Sequence, residues 1–497
     1  MVNTYLICRM DQNLNDYQNE NREILDQIYE AIEGENISLL ASLSDQEFNS
    51  IVSAATQLIF TQGHADPKKI TEILIQLSRH NCISFRQKWH CYCTLLKALQ
   101  DNKSFFPYES KIRGFYDDIF CEFRRLVLEG WATPKLSNKS NNVVVITPQL
   151  INLSHSPTRC VLEYIYLMSL KLGVSITLII SGALDYEKSS YTLAFEFNKG
   201  SLNAGELKYR GQTFQVKRFE PSYIDELNTA VSILEEISYL DPILVFSWGG
   251  GDLIADFCSE FIPTIAVAFS YDMPHTNARF VGSLANHSQS GCSFKLKTHQ
   301  ELVHLNGILS FHPTPQAYSR EQFNIPPNDF VISIVGNRLE HDIDDDFLKS
   351  LEEILFGNRN LSVVIIGRVD PGSKLKERLE RYKNLYFLGP VVNSCNIVAL
   401  TDIYLNPYRK GGGTSVYDAL HCGVPVITPS FGDGFRTAGV EFCIERLQDI
   451  PKLISRYMED PDFYSIQKVR AQARSLKVSL KSKDIRTLFS KVTNRND

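Results

Sequence analysis

A series of short runs of β-branched and aliphatic residues constrains this chain more than any other feature. Val143-Val144-Val145-Ile146-Thr147, Ile176-Thr177-Leu178-Ile179-Ile180, Pro242-Ile243-Leu244-Val245-Phe246 and Pro263 to Ala268 form a first group. Phe330 to Val335, Leu361 to Ile366, Leu385 to Leu388, Ile403-Tyr404-Leu405 and Pro425 to Thr428 form a second. Each run has the length of one strand and is apolar at consecutive positions, the pattern of a strand covered on both faces. Text with helical spacing, such as Pro157 to Leu172, separates the runs, and right-handed crossovers then join them into parallel sheets. The fold class is therefore α/β, with two doubly wound domains in tandem. Such domains face each other across a cleft and bind ligands at the carboxyl ends of their strands. Tyr191 to Phe219 alternates apolar and polar residues about Arg210-Gly211, which predicts an antiparallel hairpin beside the parallel sheet.

From Glu20 to about Glu129 the apolar residues instead recur at three and four positions, as in Ile24-Leu25-Ile28-Tyr29-Ile32, predicting an all-α N-terminal domain. Pro134 and the polar stretch Ser137 to Asn142 mark a linker. The resulting division is an all-α domain over 1–138, a first Rossmann-like domain over 139–315, a second over 316–475 and a helical tail over 476–497 that crosses back.

Length and composition exclude several classes. At 497 residues, 43% apolar and 22% charged, the chain is neither disordered nor fibrous. Its 51 Lys and Arg stand against 57 Asp and Glu, a formal charge of -6 without a long basic run, so neither nucleic acid nor an anionic membrane surface stands out as the main partner. Eleven scattered cysteines read as buried free thiols in a reducing compartment. Cys91-Tyr92-Cys93 beside His90 is spaced too tightly for the usual zinc pattern. No signal-peptide pattern opens the sequence and no segment reaches the ~18 apolar residues of a membrane span, giving an expected cytoplasmic location.

The chemistry concentrates in Thr401 to Pro429. A strand ends near Leu405, a loop carries Lys410, Gly411, Gly412 and Gly413, and Thr414-Ser415 open a helix that Gly423 stops. Backbone without Cβ approaches a ligand closely, and first-turn N–H groups with the helix dipole stabilise an anion, so this stretch is a candidate phosphate seat. Asp418 lies one turn after Thr414 on the same face, where its carboxylate reaches ribose hydroxyls. A tight turn with an ordinary Ser/Thr cap is the alternative that the residues alone leave open.

With Asp402 at the start of its strand, Gly-Thr-Ser, Asp418-Ala-Leu and Gly-Val-Pro-Val, this stretch resembles the donor domain of GT-B glycosyltransferases. It is most similar to the group that holds the O-GlcNAc transferase and the bacterial adhesin N-glucosyltransferases (family 41-like), and more distantly to family 4. The resemblance covers about residues 142–475 and implies that Gly413, Thr414 and Ser415 bind a nucleotide diphosphate and Asp418 the ribose. Family 4 enzymes carry two glutamates where Lys410 and Asp418 stand here, which weakens the likeness to the retaining subgroup. The resemblance further implies a cation over the diphosphate. Arg338, at the end of the first strand of the second domain, is the candidate because a guanidinium holds phosphate oxygens in bidentate fashion, with a surface pair to Glu340 as the alternative. The lysine that usually follows is absent from the acidic Glu340 to Asp344, leaving open whether Lys410 supplies that charge. Leu388 and Gly389 resemble the segment that reads the base.

On the first domain, Thr147 to Arg159 resembles the His-Pro-Thr loop of the same group, and His155 is the candidate catalytic group because imidazole takes up a proton near neutrality. A capping role at the helix start is its alternative. His275, in a loop similar to one lining the site, and Gly250, in a Gly-rich strand-to-helix turn, are candidate cleft-lining residues. The implied activity is transfer of a hexose or N-acetylhexosamine from a UDP-sugar donor to an acceptor. That acceptor is expected to be a polypeptide side chain, with a cell-surface glycan or lipid-linked acceptor as the alternative. Inversion is implied, and no cofactor or metal is expected. A peripheral membrane contact or a co-glycosyltransferase partner stays open, and so does a catalytically silent GT-B binding subunit.

Overall fold

The computed structural model describes residues 14–34, 44–60, 66–80, 83–134, 140–151, 155–183, 205–220, 222–270, 272–284, 295–305, 307, 318–358, 360–391 and 393–493. Helices α1 (Leu14–Glu33), α2 (Asp45–Phe60), α3 (Pro67–Ser78), α4 (Phe85–Asp101) and α5 (Glu109–Gly130) come first, with a 3-10 turn over Lys103–Tyr108. Local chemistry sets their starts: Asp66 accepts hydrogen bonds from the N–H groups of Lys68 and Lys69, and Ser84 forms a capping box with Gln87.

The first sheet follows: β1 (Asn142–Thr147), α6 (Ser156–Leu172), β2 (Ser175–Ile180), β3 (Gly205–Tyr209), β4 (Gln212–Arg218), α7 (Leu227–Leu240), β5 (Leu244–Gly249), α8 (Leu253–Cys258), β6 (Thr264–Ala268), β7 (Phe280–Ser283) and β8 (Glu301–His304). Its order is β3-β4-β2-β1-β5-β6-β7-β8, parallel throughout except for the β3–β4 hairpin. That hairpin turns on Arg210 and Gly211, both at positive φ, as the Arg-Gly pair predicts; 191–204 of the expected segment lie outside the described residues. It is not an appendage, since β4 pairs in parallel with β2 and extends the main sheet.

The second sheet comprises β9 (Phe330–Val335), α9 (Leu339–Asp342), α10 (Asp345–Gly357), β10 (Leu361–Ile366), α11 (Lys374–Leu379), β11 (Leu385–Gly389), α12 (Ser394–Val398), β12 (Ile403–Leu405), α13 (Gly413–His421), β13 (Val426–Pro429), α14 (Gly432–Ala438) and β14 (Cys443–Ile444). Then come α15 (Ile450–Glu459), α16 (Pro461–Val478) and α17 (Ser482–Thr493). The order β11-β10-β9-β12-β13-β14 is the doubly wound order whose direction reverses between β9 and β12. In the first sheet the corresponding reversal lies between β1 and β5.

Both faces of each sheet are covered, as the apolar runs require. Val144 and Ile146 of β1 point into one core, Val143 and Val145 into another. The first of these cores is continuous with the helical domain, joining Trp89, Tyr116 and Phe123 to Tyr223, Ile233 and Phe257. The helical domain thus shares its core with the first sheet rather than standing apart. On the opposite face, Ile485, Leu488, Phe489 and Val492 of α17 pack with Tyr164, Ile165 and Met168 of α6. Fully burying one such aliphatic side chain contributes about 1.5 to 3 kcal/mol. The chain therefore returns, after the second domain, to complete the first.

Candidate functional site

The reversal points set the site. Where β9 and β12 diverge, two loops leave side by side: Gly336-Asn337-Arg338 after β9, and Asn406 to Gly412 after β12. Arg409 bridges them. Its guanidinium is buried and donates to Val335 O at 2.8 Å, Asn406 Oδ1 at 3.0 Å, Tyr404 Oη at 3.0 Å and Asp342 Oδ2 at 3.2 Å. Burial works against its charge, yet Tyr404 and Asp342 hold its pKa above the ordinary value.

Arg409 in turn sets the start of α13. Gly412 precedes that helix at φ 88°, and a Cβ there would lie 2.5 Å from the Arg409 Nε. Only glycine satisfies both conditions. As a cap without a side chain it makes no side-chain hydrogen bond to the first-turn N–H groups of α13. Gly413 is buried against Asp433 and Thr437, so α14 presses on this turn. Gly411 has open space around its Cβ direction. Thr414 is half-buried on the first turn. Ser415 is engaged internally: Tyr404 donates to its Oγ at 2.8 Å, and it donates to Gly412 O at 3.1 Å. The loop stays a candidate anion seat, with Ser415 engaged in holding its shape.

Two of the expected donor ligands make contacts across the cleft. Asp418, 1% exposed, receives both arms of Arg159 from α6, at 3.0 and 3.2 Å. Lys410 turns away from α13: its Nζ lies 2.8 Å from Asp272 of the first domain and 3.2 Å from Leu99 O of α4, and 5.3 Å above the Phe106 ring. Although burial opposes it, Lys410 with Arg436 holds the Asp272 carboxylate below its usual range. In this structure Lys410 is therefore engaged by the first domain and the helical domain, on the side away from the start of α13. Its four-carbon stem reaches the junction of all three parts of the chain. Phe431 there stacks between Tyr408, at 4.8 Å, and Phe106, at 6.0 Å.

Arg338 is exposed at the start of α9, beside the seat in sequence and topology. Its expected partner Glu340 accepts a hydrogen bond from the Asp370 N–H. Leu388 and Gly389 end β11, at the carboxyl edge of the same sheet, and Gly389 O accepts from Gly367 N–H at 2.9 Å.

On the first domain, His155 sits at the N-cap of α6, one turn from Arg159, and so on the side of α6 that meets α13. Its Nδ1 lies 3.0 Å from Thr158 Oγ1, which accepts from the Ile151 N–H. Burial lowers its pKa to about 4, so the imidazole is neutral at pH 7. Asn152, Leu153 and Ser154 of the same loop lie outside the described residues. Gly250, at φ 69°, packs against Pro274, and neighbouring Gly249 meets Pro148 of the β1 loop. His275 is not in the cleft. It is buried beneath the helical domain, with Nδ1 3.1 Å from the Tyr92 Oη and its ring beside Tyr116; that burial, with nearby Arg113, pushes its pKa well down. Among the described residues no group of three or more His, Cys, Asp and Glu side chains is arranged to hold a metal ion.

Sequence reasoning missed Arg159 and Arg409. Arg409 directly precedes the glycines, and the nearer lysine drew the reading away from it. The partner of Arg159 lies 259 positions further along the chain, a separation no local pattern reveals.

Comparison with known proteins gives the architecture its relatives. The family described as Glycosyl transferases group 1 matches residues 329–459, the second domain with its seat. Among solved structures, a Thermobaculum terrenum O-GlcNAc transferase variant is similar at a TM-score of 0.51 and 11% identity, over 95% of this chain and 97% of its own. The Anabaena HepE complex with UDP and glucose is similar at 0.50 and 12% identity, over 71% of this chain and 99% of its own. No curated protein matches the sequence. The chain has the GT-B fold, and residues 329–459, which include the Gly412-capped turn, are similar to the family described as Glycosyl transferases group 1.

Proposed function

We propose that the protein transfers a hexose or N-acetylhexosamine from a UDP-sugar to an acceptor in the cleft between its two sheets. The observation that carries this reading is the Gly412-capped start of α13, at the reversal point of the second sheet and facing α6 of the first. In the transition state negative charge grows on the departing diphosphate, and preoriented N–H groups stabilise it without reorganising. Arg338 adds a cation at the adjacent loop. The UDP bound in the Anabaena neighbour supports the choice of nucleotide. Neutral His155 lies across the cleft, where it receives the acceptor proton, a layout suited to inversion with no metal required. Phe106 and Lys410 bring the helical domain to the edge of the seat, which supports a polypeptide laid along that domain as the acceptor.

A catalytically silent GT-B binding subunit is the second reading, favoured by one observation: Arg159 already occupies the carboxylate expected to hold ribose. Two measurements separate the readings. Saturating UDP raises the melting temperature if the seat is built for nucleotide, by an amount reflecting about 2.7 kcal/mol at 100 times Kd. Intact-mass analysis with UDP-glucose or UDP-N-acetylglucosamine and candidate polypeptides, with and without EDTA, then shows transfer. Binding without transfer to any acceptor leaves the silent subunit standing; loss of transfer in EDTA removes metal independence.

A further inference from the structure

Helix α16 is built inside out. The residues it buries are Gln467, Ala471 and Ser475, small or polar, while Ile466, Val469 and Leu476 stand 52%, 64% and 67% exposed. At 100° per residue, Ile466, Val469, Ala473 and Leu476 fall within one 80° sector, forming an aliphatic stripe along a helix of 18 residues, about 27 Å long. The inward face is small because α13 packs closely there, with Gln472 against Gly423. That accounts for the buried side and leaves the outer one without a folding reason. Aliphatic side chains aligned on a surface mark a contact.

The charges around the stripe say what it meets. Lys468 flanks one side and Arg470 and Lys477 the other, all exposed. Arg470 and Lys477 also line a shallow concavity shared with Glu441, Ala473 and Arg474. Across 461–491 there are eight Lys and Arg against two Asp and Glu, whereas the chain as a whole carries -6. A second copy presenting the same basic face repels the first, so a symmetric pairing through α16 is disfavoured. An apolar ridge with Lys468 on one side and Arg470 and Lys477 on the other, and with Asp462 as the one acid at its N-terminal end, matches an anionic bilayer, whose acyl boundary takes the ridge and whose headgroups take the cations.

We propose that α16 is an interfacial helix that seats the protein on an anionic lipid surface, independently of the activity proposed above. The test is co-sedimentation of the full chain with phosphatidylcholine vesicles containing none or one third phosphatidylglycerol. Wild type is expected to bind the anionic vesicles at least tenfold better than the neutral ones, and to release as salt rises from 0.05 to 0.5 M. The triple substitution Ile466→Ser, Val469→Ser, Leu476→Ser, and separately Lys468→Gln, Arg470→Gln, Lys477→Gln, are each expected to lower binding at least fivefold. Both sets lie on exposed positions, and an unchanged melting temperature verifies the fold. Equal binding to both vesicle types, no binding to either, or full binding by the triple-serine variant overturns the proposal. So does a wild-type dimer that the triple-serine variant converts to monomer.

Discussion

Arg409 is the residue on which the second domain's site depends. Replacing it with Met leaves Asp342 and Asn406 without their buried partner, and breaking a buried pair from one side costs about 3 to 5 kcal/mol. Arg409→Met is therefore expected to lower the urea midpoint and to abolish any UDP-dependent thermal shift. Lys does not rescue it, since one ammonium cannot reach the four acceptors that the planar fork serves. Arg159 and Asp418 form the corresponding pair between domains. In a double-mutant cycle with Arg159→Met and Asp418→Asn, followed by chemical denaturation, a coupling energy of about 1 to 3 kcal/mol is expected. His155 gives a pH signature. Its pKa in the fold, about 4, lies below the ordinary 6.5, so the unfolded chain takes up the proton first on acidification. The stability it contributes is full above pH 6.5 and is lost as pH falls from 6.5 towards 4. Buried His90, also near 4, acts in the same sense, whereas Asp256, raised by burial to about 7, loses its contribution as pH rises from 3.8 through 7. Comparing His155→Gln with wild type isolates the first: the variant is expected to lose less stability between pH 7 and 5. If His155 accepts the acceptor proton, the acid limb of the transfer rate has its midpoint near 4 rather than 6.5.

At the scale of elements, the two glycines beside the seat are expected to differ. Gly412→Ala forces a Cβ into a left-handed position and onto the Arg409 guanidinium, costing about 1 to 3 kcal/mol and weakening UDP binding by at least tenfold. Gly411→Ala meets nothing within 4 Å and is expected to be tolerated in both measurements. The existence and type of such elements were legible because β-branched runs, glycines and caps act locally. The doubly wound arrangement follows from the text around Val331 to Thr428, whereas the helix read as opening at Thr414-Ser415 starts one residue earlier, at Gly413, with Gly412 as its cap. Strands β7 and β8 were not legible, since Phe280–Ser283 and Glu301–His304 are four-residue pieces whose pairing is decided by neighbours in the sheet. His275 misled for the same reason: its loop sequence suits a cleft, and only packing of α4 and α5 buries it under Tyr92 and Tyr116. Overall charge says nothing of its distribution: the chain total of -6 includes a segment, 461–491, with eight Lys and Arg against two Asp and Glu.

Over the whole molecule, the helical domain and the first sheet share one core, so they are expected to unfold as one unit, in a single transition by both tryptophan fluorescence and circular dichroism. Trp89 donates to Ala183 O at 3.0 Å across that junction and reports it directly. Lys410 with Asp272, and Arg159 with Asp418, then join this unit to the second domain. Leu488→Asp in α17 places a charge in the core under α6 and is expected to unfold the first unit while sparing the second domain, measurable as selective loss of amide protection in β1 and β2.

The return of α17 also bears on how the protein is made. A ribosome delivers the first sheet long before the segment that closes one of its faces, because residues 330–478 must be synthesised in between. At about 5 to 20 residues per second, Ile165 and Met168 wait for many seconds without Ile485, Leu488 and Phe489 to cover them. The second domain, whose cores lie within Ile325 to Ala471, has no such wait and reaches its final form earlier despite coming later in the message. Chains arrested after residue 478 are thus expected to show a protease-resistant second domain beside a first that is still readily cut, with resistance appearing there only once residue 493 has left the exit tunnel.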